Sequence, residues 1–566
     1  MSPRWQRFVD GLKLHALGAA LATAYVAVLV RGAKTLGYAR DEGFYFHAST
    51  DYARWFDGLL HDRHVALTRG AIDAAWGTNH EHPALMKSLF GLSWLFLHER
   101  WHWIASEGLS FRFPGMVMGA LGVWLTLVFG HRAHSTRAGV VAALSLAFMP
   151  RVFYHAHLDC FDVPVMTMWI VVLYAYWRSL AGGVGWALAA GLAWGLALET
   201  KHNAWFVPFL VVAHFAVTRA GDLRSAATRG NLPLPLALVA MAVLGPLVFV
   251  GLWPWMWFDT AARFQEYAGF HLHHAYYNME WMGQNWFHPP FPHGYSWGMM
   301  LFTVPGITLL LGVVGLAVKL PAMLREGSGL AAWLPLRRLR AWADAHASDD
   351  PRGTWTLVLL GFLVPMAPWL STGTPIFGGT KHWFPAYPFL ALLAGVGFVR
   401  VAEVLEEAFG KRLPREGLVA WALGVLVVLP PVTQALHSHP FGLSNYTPIA
   451  GGAPGAADMG LNRQFWGFTT GSLTEWFNAN APRGAGIYIH DTTFESFAML
   501  QHDGRLRDDL HPVWQVADGT YAIVHHELHM NEVDCQIWTA WQSPAPAHVL
   551  TYDGVPIVSV YRAPPR

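Results

Sequence analysis

The chain has 566 residues, 54% of them hydrophobic and only 13% charged. Soluble domains usually carry about 25% charged residues, so charge cannot cover this surface and most of it must face lipid. A net charge of +1 argues against nucleic acid as a partner, and two cysteines, Cys160 and Cys535, are too few for a disulfide framework or a zinc ribbon.

A helix needs about 20 mostly apolar residues to cross the hydrocarbon core. In chain order such segments run near 14–33, 113–130, 138–153, 163–177, 186–199, 203–218, 233–254, 298–318, 354–370, 384–399 and 418–436, which predicts about eleven spans. The first reads as an uncleaved anchor rather than a signal peptide, because its apolar run is long and Asp41-Glu42 follows closely. Gly115-x-x-x-Gly119 and Gly191-x-x-x-Gly195 lie inside spans, where paired small residues let helices pack closely.

Short loops orient the spans through Lys and Arg. With the N-terminus cytoplasmic, the inner pieces hold Arg4, Arg7 and Lys13; Arg132 and Arg137; Arg178; Arg219, Arg224 and Arg229; Lys319, Arg325, Arg337, Arg338 and Arg340; then Arg400, Lys411, Arg412 and Arg415. The short alternate loops keep single basic residues, Arg151, Lys201, Arg263 and Lys381. The asymmetry predicts a multi-pass protein of the plasma (inner) membrane. Its outer face carries the 34–112, 154–162, 255–297 and 371–383 loops and a periplasmic or extracellular tail.

Residues 1–436 are thus expected to form the transmembrane domain, with 34–112 a long outer loop carrying interfacial helices. Residues 437–566 lack a long apolar run. "GAGIYIHDT", "YAIVHHE" and "PIVSVYR" read as strands, and "GSLTEWFNANAP" as a helix ended by proline, so a small outer α/β domain is expected.

Polar residues at outer loop ends stand out, because a charge at the lipid boundary is costly without a role. Asp41 and Glu42 are adjacent acids after the first span. Glu81 and His82 precede Pro83, which opens an apolar stretch, 83–97, too short to span and suited to lying in the interface. His155, His157, Asp159 and Asp162 crowd one short loop; a helix cap explains one acid but not this group. Lys201 and Lys381, each nearly alone on its face, suit anion binding better than snorkelling to headgroups. "HLHH" at 271–274 and "HHELH" at 525–529 invite a metal, but the latter misses the His-Glu-x-x-His spacing, so no dedicated metal site is expected there.

In these residues the chain resembles the family 39 glycosyltransferases, which share the type C membrane fold and include protein O-mannosyltransferases and the lipid A aminoarabinose transferase. The matching pieces, in order, are Asp41-Glu42, "EHPALMKSLF", Arg112 with "RFPGMVMGALGVWLTLVFGHR", the acids before the fourth span, "GLALETK", "HPPFPHGYSWGMMLFTVP" and "KHWFPAYPFL". The family often carries lysine where His82 stands and arginine where His382 or Trp383 stands. Its second acid matches Asp159 or Asp162; Asp162, in Asp-x-Pro before an apolar run, is closer to the pattern.

The resemblance implies transfer of a sugar, with inversion, from a polyprenyl-phosphate carrier to a lipid, glycan or protein acceptor. Phosphate is already a good leaving group, so the site needs a base for the acceptor and cations for the departing charge. Asp41 is the expected base, with Glu42, Asp162 or Asp159 orienting it or the acceptor. Lys201, Lys381, Arg112, His82 and Glu81 are the expected phosphate side of the site, with His155, His157 and His382 nearby. The residues name no cofactor and leave open a divalent cation. Two other classes fit less well. A lipid-linked sugar flippase would place charges mid-span rather than at loop ends; a non-catalytic metal-handling protein would depend on metal for stability.

Overall fold

The computed structural model describes residues 3–219, 234–327, 337–409 and 417–565. Of the loop cations above, Arg224, Arg229, Lys411, Arg412 and Arg415 lie outside the described residues, as do the side chains of Arg4, Arg7, Arg337 and Arg340.

The chain is a polytopic helical membrane protein with a small C-terminal sheet. Five described helical segments are long and apolar enough to cross a membrane: Val9–Ala33, Glu107–Ala133, Gly306–Glu326, Gly379–Phe409 and Leu418–Ser438. Shorter apolar helices occupy Thr136–Ala147, Val184–Leu198, His202–Thr218, Leu236–Gly251 and Thr354–Leu370. The expected segment 163–177 falls in the almost wholly buried helix Asp162–Ser179.

Prolines explain several interruptions of the expected spans. The 138–153 segment breaks at Phe148–Met149, and Pro150 starts a separate short helix, Pro150–His155. The 298–318 segment is two helices, Tyr295–Thr303 and Gly306–Gly327, parted at Val304-Pro305. Proline has no N–H and clashes with the preceding turn, so it begins helices more readily than it continues them. The interfacial helix begins at Leu85 rather than Pro83 and continues past Ser93 as a π-helical stretch, Trp94–Arg100.

Both glycine pairs sit at close crossings. A Cβ on Gly115 would stand 2.7 Å from the Leu158 carbonyl oxygen, and one on Gly191 2.5 Å from that of Ala240. The first crossing brings the helix Glu107–Ala133 against the 156–162 loop and so helps to position its acids.

The C-terminal segment carries a five-stranded sheet. With β1 (Met279–Trp281) and β2 (Gln284–Trp286) forming a hairpin earlier in the chain, its strands are β3 (Gly486–Tyr488), β4 (His511–Val513), β5 (Tyr521–His525), β6 (His548–Tyr552) and β7 (Val555–Arg562). The order is β4-β3-β5-β7-β6, with β3 parallel to β4 and β5, and β7 antiparallel to β5 and β6. The three expected strands are present; β4 and β6 are additional. "HHELH" leaves the sheet after His525 and turns into a 3-10 helix, Leu528–Met530.

The segment is not an appendage. Phe468, Ile487, Phe497 and Val558 share one buried cluster with Leu36, Phe46, Phe90, Phe111 and Phe161. Polar contacts reinforce the seam: Asp503 accepts from Tyr38 Oη, Ser106 Oγ and the Gly108 N–H, and Arg505 donates to the Leu36 carbonyl.

Candidate active site

Four helix ends build the site. Asp41 lies in the first turn of Arg40–His61, and Asp162 is the first residue of Asp162–Ser179. Acids are favoured at helix N-termini by the unpaired N–H groups there. The Asp162 carboxylate is engaged by Lys201. Lys201 occupies the turn between Val184–Leu198 and the 3-10 helix His202–Phe206, and Lys381 lies in the 3-10 stretch Gly379–Ala386.

These ends converge on a cavity of about 480 Å³. Lys201 Nζ stands 2.5 Å from Asp162 Oδ1, and Lys381 Nζ 3.2 Å from Asp41 Oδ2. Lys201, Asp162 and Lys381 are nearly buried, whereas the Asp41 side chain keeps 20% of its exposure. His155 is buried beside Asp162, with Nδ1 3.5 Å from Oδ2 and no hydrogen bond to it. Trp466 lies under Lys381, with the ammonium 3.9 Å from the ring centroid, a distance at which the ring's negative face attracts the charge. Gly378 and Gly379 let the chain turn with φ of +64° and +63°. A Cβ on Gly378 would stand 2.4 Å from Lys381 Cε, so only glycine leaves the lysine its place.

Glu81 and His82 also line the cavity, together with His202, His271 and His382. His82 Nδ1 is buried without a partner. Burial and the nearby Lys87 ammonium hold the His82 imidazole well below its ordinary pKa, and burial takes His271 down to about 4. Both rings are therefore neutral near pH 7, able to donate or accept a hydrogen bond but not to supply a fixed positive charge.

The other expected site residues do not line the cavity. Arg112, expected on the donor phosphate, instead binds Glu42 in a fork, Nε to Oε1 and Nη2 to Oε2, each at 2.7 Å. It also donates to the Gly37 carbonyl at 2.6 Å and stacks over Tyr38. Glu42 in turn accepts from the N–H groups of Ala39 and Asp159 at 2.8 and 2.9 Å. Both side chains are saturated and inaccessible, because a buried charge pair must satisfy every polar atom within the protein. They tie the Asp41 turn to the 156–162 loop. Asp159 is buried beside this pair with both oxygens unpartnered; burial and the Glu42 carboxylate push its carboxyl well above the usual range. His157 is spent on the Phe153 carbonyl at 2.8 Å.

Several contributors were not legible in the sequence. Lys87, within "EHPALMKSLF", is fully buried and donates to the Asn79 and His82 carbonyls at 2.5 and 2.9 Å. It thereby fixes the loop carrying Glu81 and His82, while burial lowers its pKa to about 7. A lysine inside an apolar helix was the available signal. Trp466 and the Arg40–Asp491 pair, 2.8 Å apart, gave none, since Lys381 lies 85 residues from Trp466 and Asp491 451 residues from Arg40.

Residues 102–250 match the family model described as dolichyl-phosphate-mannose-protein mannosyltransferase. Over that stretch the chain is similar to this family, in line with the resemblance seen in its motifs. The match includes Arg112, Asp159, Asp162 and Lys201, while Asp41 and Lys381 fall outside it. No curated protein matches the sequence. Among solved structures, ArnT from Cupriavidus metallidurans bound to undecaprenyl phosphate is 16% identical, with 97% of this chain and 99% of that one covered and a TM-score of 0.44. The oligosaccharyltransferase AglB from Archaeoglobus fulgidus, in complex with an inhibitory peptide and a dolichol-phosphate, is 9% identical, with 92% and 71% covered and a TM-score of 0.46.

Proposed function

We propose that this protein is a glycosyltransferase that moves a sugar, with inversion, from a polyprenyl-phosphate carrier to an acceptor at the outer face of the plasma membrane. Two lysine–carboxylate pairs facing one cavity carry this assignment. The similarity of residues 102–250 to a family named for a dolichyl-phosphate donor supports the lipid-linked sugar.

Without donor, each lysine is neutralised by its carboxylate. A phosphate can replace the carboxylate as the partner of Lys201 or Lys381, because an ammonium has three donors and charge-assisted bonds to phosphate are strong. Asp41 and Asp162 then become acceptors for other protons. Asp41, the more accessible, takes the proton of the acceptor hydroxyl as its oxygen forms a bond to the anomeric carbon. The carbon–oxygen bond to the carrier phosphate breaks on the opposite side, which inverts the centre. The departing phosphate retains the bonding electrons, and Lys201 and Lys381 stabilise the added charge. Neutral His82, and His382 beside Lys381, supply hydrogen bonds to the phosphate or sugar. Glu42 and Arg112 hold the Asp41 turn and the 156–162 loop in place.

Incubating the purified protein with a panel of polyprenyl-phosphate sugars tests the assignment. Sugar transfer, or slow hydrolysis of one donor to free sugar, is expected. A protein that moves intact lipid-linked sugar across vesicles but never cleaves it would be a flippase.

Two structural consequences are checkable. Gly378→Ala is expected to displace Lys381 and to lower turnover as far as Lys381→Met does; wild-type turnover would show that the lysine needs no such cradle. Reporter fusions after residues 340 and 440 should read cytoplasmic and external respectively. If both read the same compartment, the outer-face site is lost along with the orientation.

A further inference from the structure

The cavity wall also holds a group that the transfer chemistry does not use. Glu280 comes from β1, Glu527 follows β5, and His529 lies in the next turn. Glu280 and Glu527 are 3% and 7% exposed. One ligand atom from each of the three residues lies within 4.8 Å of the others. His529 Nδ1 is 3.2 Å from Glu280 Oε1 and 3.6 Å from Glu527 Oε2. Two atoms each about 2.1 Å from one ion stand about 3.0 Å apart at right angles and about 3.4 Å apart in a tetrahedron, so these separations suit adjacent ligands of a single cation.

Two neighbours point the same way. Asp491 is 2% exposed, lines the same cavity and leaves Oδ2 without a hydrogen-bond partner. Asn278 Nδ2 is 2.7 Å from His529 Nδ1, so its amide, turned over, presents an oxygen toward the same point. Gln464 donates to Glu527 Oε1 at 2.6 Å and orients that carboxylate. Arg40 pairs with Asp491 at 2.8 Å but also reaches Asp41 at 3.8 Å, so it does not balance Glu280, Glu527 and Asp491 when all three are ionised. Leaving such charge buried and unbalanced is costly.

We propose that Glu280, Glu527 and His529 bind a divalent first-row cation that clasps the β1–β2 hairpin to the C-terminal segment at the cavity wall. Two carboxylates with one imidazole suit Mn²⁺ or Zn²⁺ better than Ca²⁺ or Mg²⁺, which favour all-oxygen shells. An ion with three protein ligands keeps at least one position for water or for an oxygen of a bound molecule. The site shares no ligand with the Asp41–Lys381 and Asp162–Lys201 pairs, and its test needs no sugar donor.

The full-length protein in detergent, stripped with EDTA and dialysed, is titrated with Mn²⁺ alone, and free ion is counted by its EPR signal. One tight Mn²⁺ per chain is expected, with a rise in Tm. Glu280→Gln/His529→Gln should bind one ion fewer, and its Tm should stay at that of the EDTA-treated wild type. The isosteric Glu527→Gln should lose the same ion and guards against misfolding of the double variant. Because only the difference between proteins is read, adventitious binding by the other histidines cancels. Equal stoichiometry in the wild type and both variants overturns the proposal. So does a wild type with no saturable binding, which would leave a proton on Glu527, rather than a metal, balancing the cluster.

Discussion

Asp41→Asn is expected to reduce sugar transfer by about three orders of magnitude, within the range that a positioned general base contributes, while membrane insertion and thermal stability stay near wild type. The amide preserves the shape of the carboxylate but cannot take the acceptor's proton. Stability should survive because the Asp41 side chain is still 20% exposed and its partner, Lys381, retains the face of Trp466. Donor affinity should change little, since the base acts on the acceptor. Steady-state turnover and a donor-binding titration on the same preparation separate the possibilities. Wild-type turnover would remove Asp41 as the base. A loss confined to donor binding would make it a positioning residue for Lys381. Asp162→Asn is also expected to be severe, because it deprives Lys201 of its partner. Asp159→Asn should be mild: that carboxyl is buried without partners, and its raised pKa already favours the neutral form that Asn mimics.

Lys201→Met should lower turnover about a hundredfold, the scale seen when a single electrostatic donor to a developing negative charge is removed. Donor binding should weaken too, because the phosphate is charged in the ground state as well. The geometry adds a second consequence. Lys201 and Asp162 form a nearly buried pair at 2.5 Å, and removing one member of such a pair costs about 3–5 kcal/mol by stranding the other charge. The single variant is therefore expected to melt earlier as well as to turn over slowly. Lys201→Met/Asp162→Asn separates the two effects: neutralising the stranded acid should restore Tm but not turnover. Recovery of both would reduce the lysine to a structural counter-ion. Lys381→Met should be less damaging to stability, because Asp41 is better solvated than Asp162, and His382 beside it can partly replace the lost donor.

Much of the candidate site was legible because its chemistry is local. Asp41, Asp162, Lys201 and Lys381 each sit at the end of an apolar segment, where a charge is conspicuous, and all four line the cavity. Arg112 and Glu42 were equally conspicuous, but sequence could not distinguish a cation available to ligand from one spent on a carboxylate 70 residues away. The choice between Asp159 and Asp162 had the same character. Three residues apart in one loop, they differ in which side of a helix end they face: one lies beside Glu42, the other meets Lys201.

By itself, the sequence determined that this chain is a multi-pass membrane protein, where its apolar helices lie and which loop ends carry charge. Those properties follow from runs of side chains whose transfer into lipid depends on composition and length alone. Tertiary structure decided the rest: which acid meets which lysine, that Trp466 lies under Lys381, that Lys87 pins the Glu81–His82 loop, and that Glu280 meets His529. Apart from the bonds of Lys87, which span 5 and 8 residues, these contacts join segments tens to hundreds of residues apart, and short-range periodicity carries no information about such pairings. They form because burying the apolar faces of the helices and of the C-terminal sheet in shared clusters brings a few polar side chains together, where each must find a partner or remain poised for a ligand.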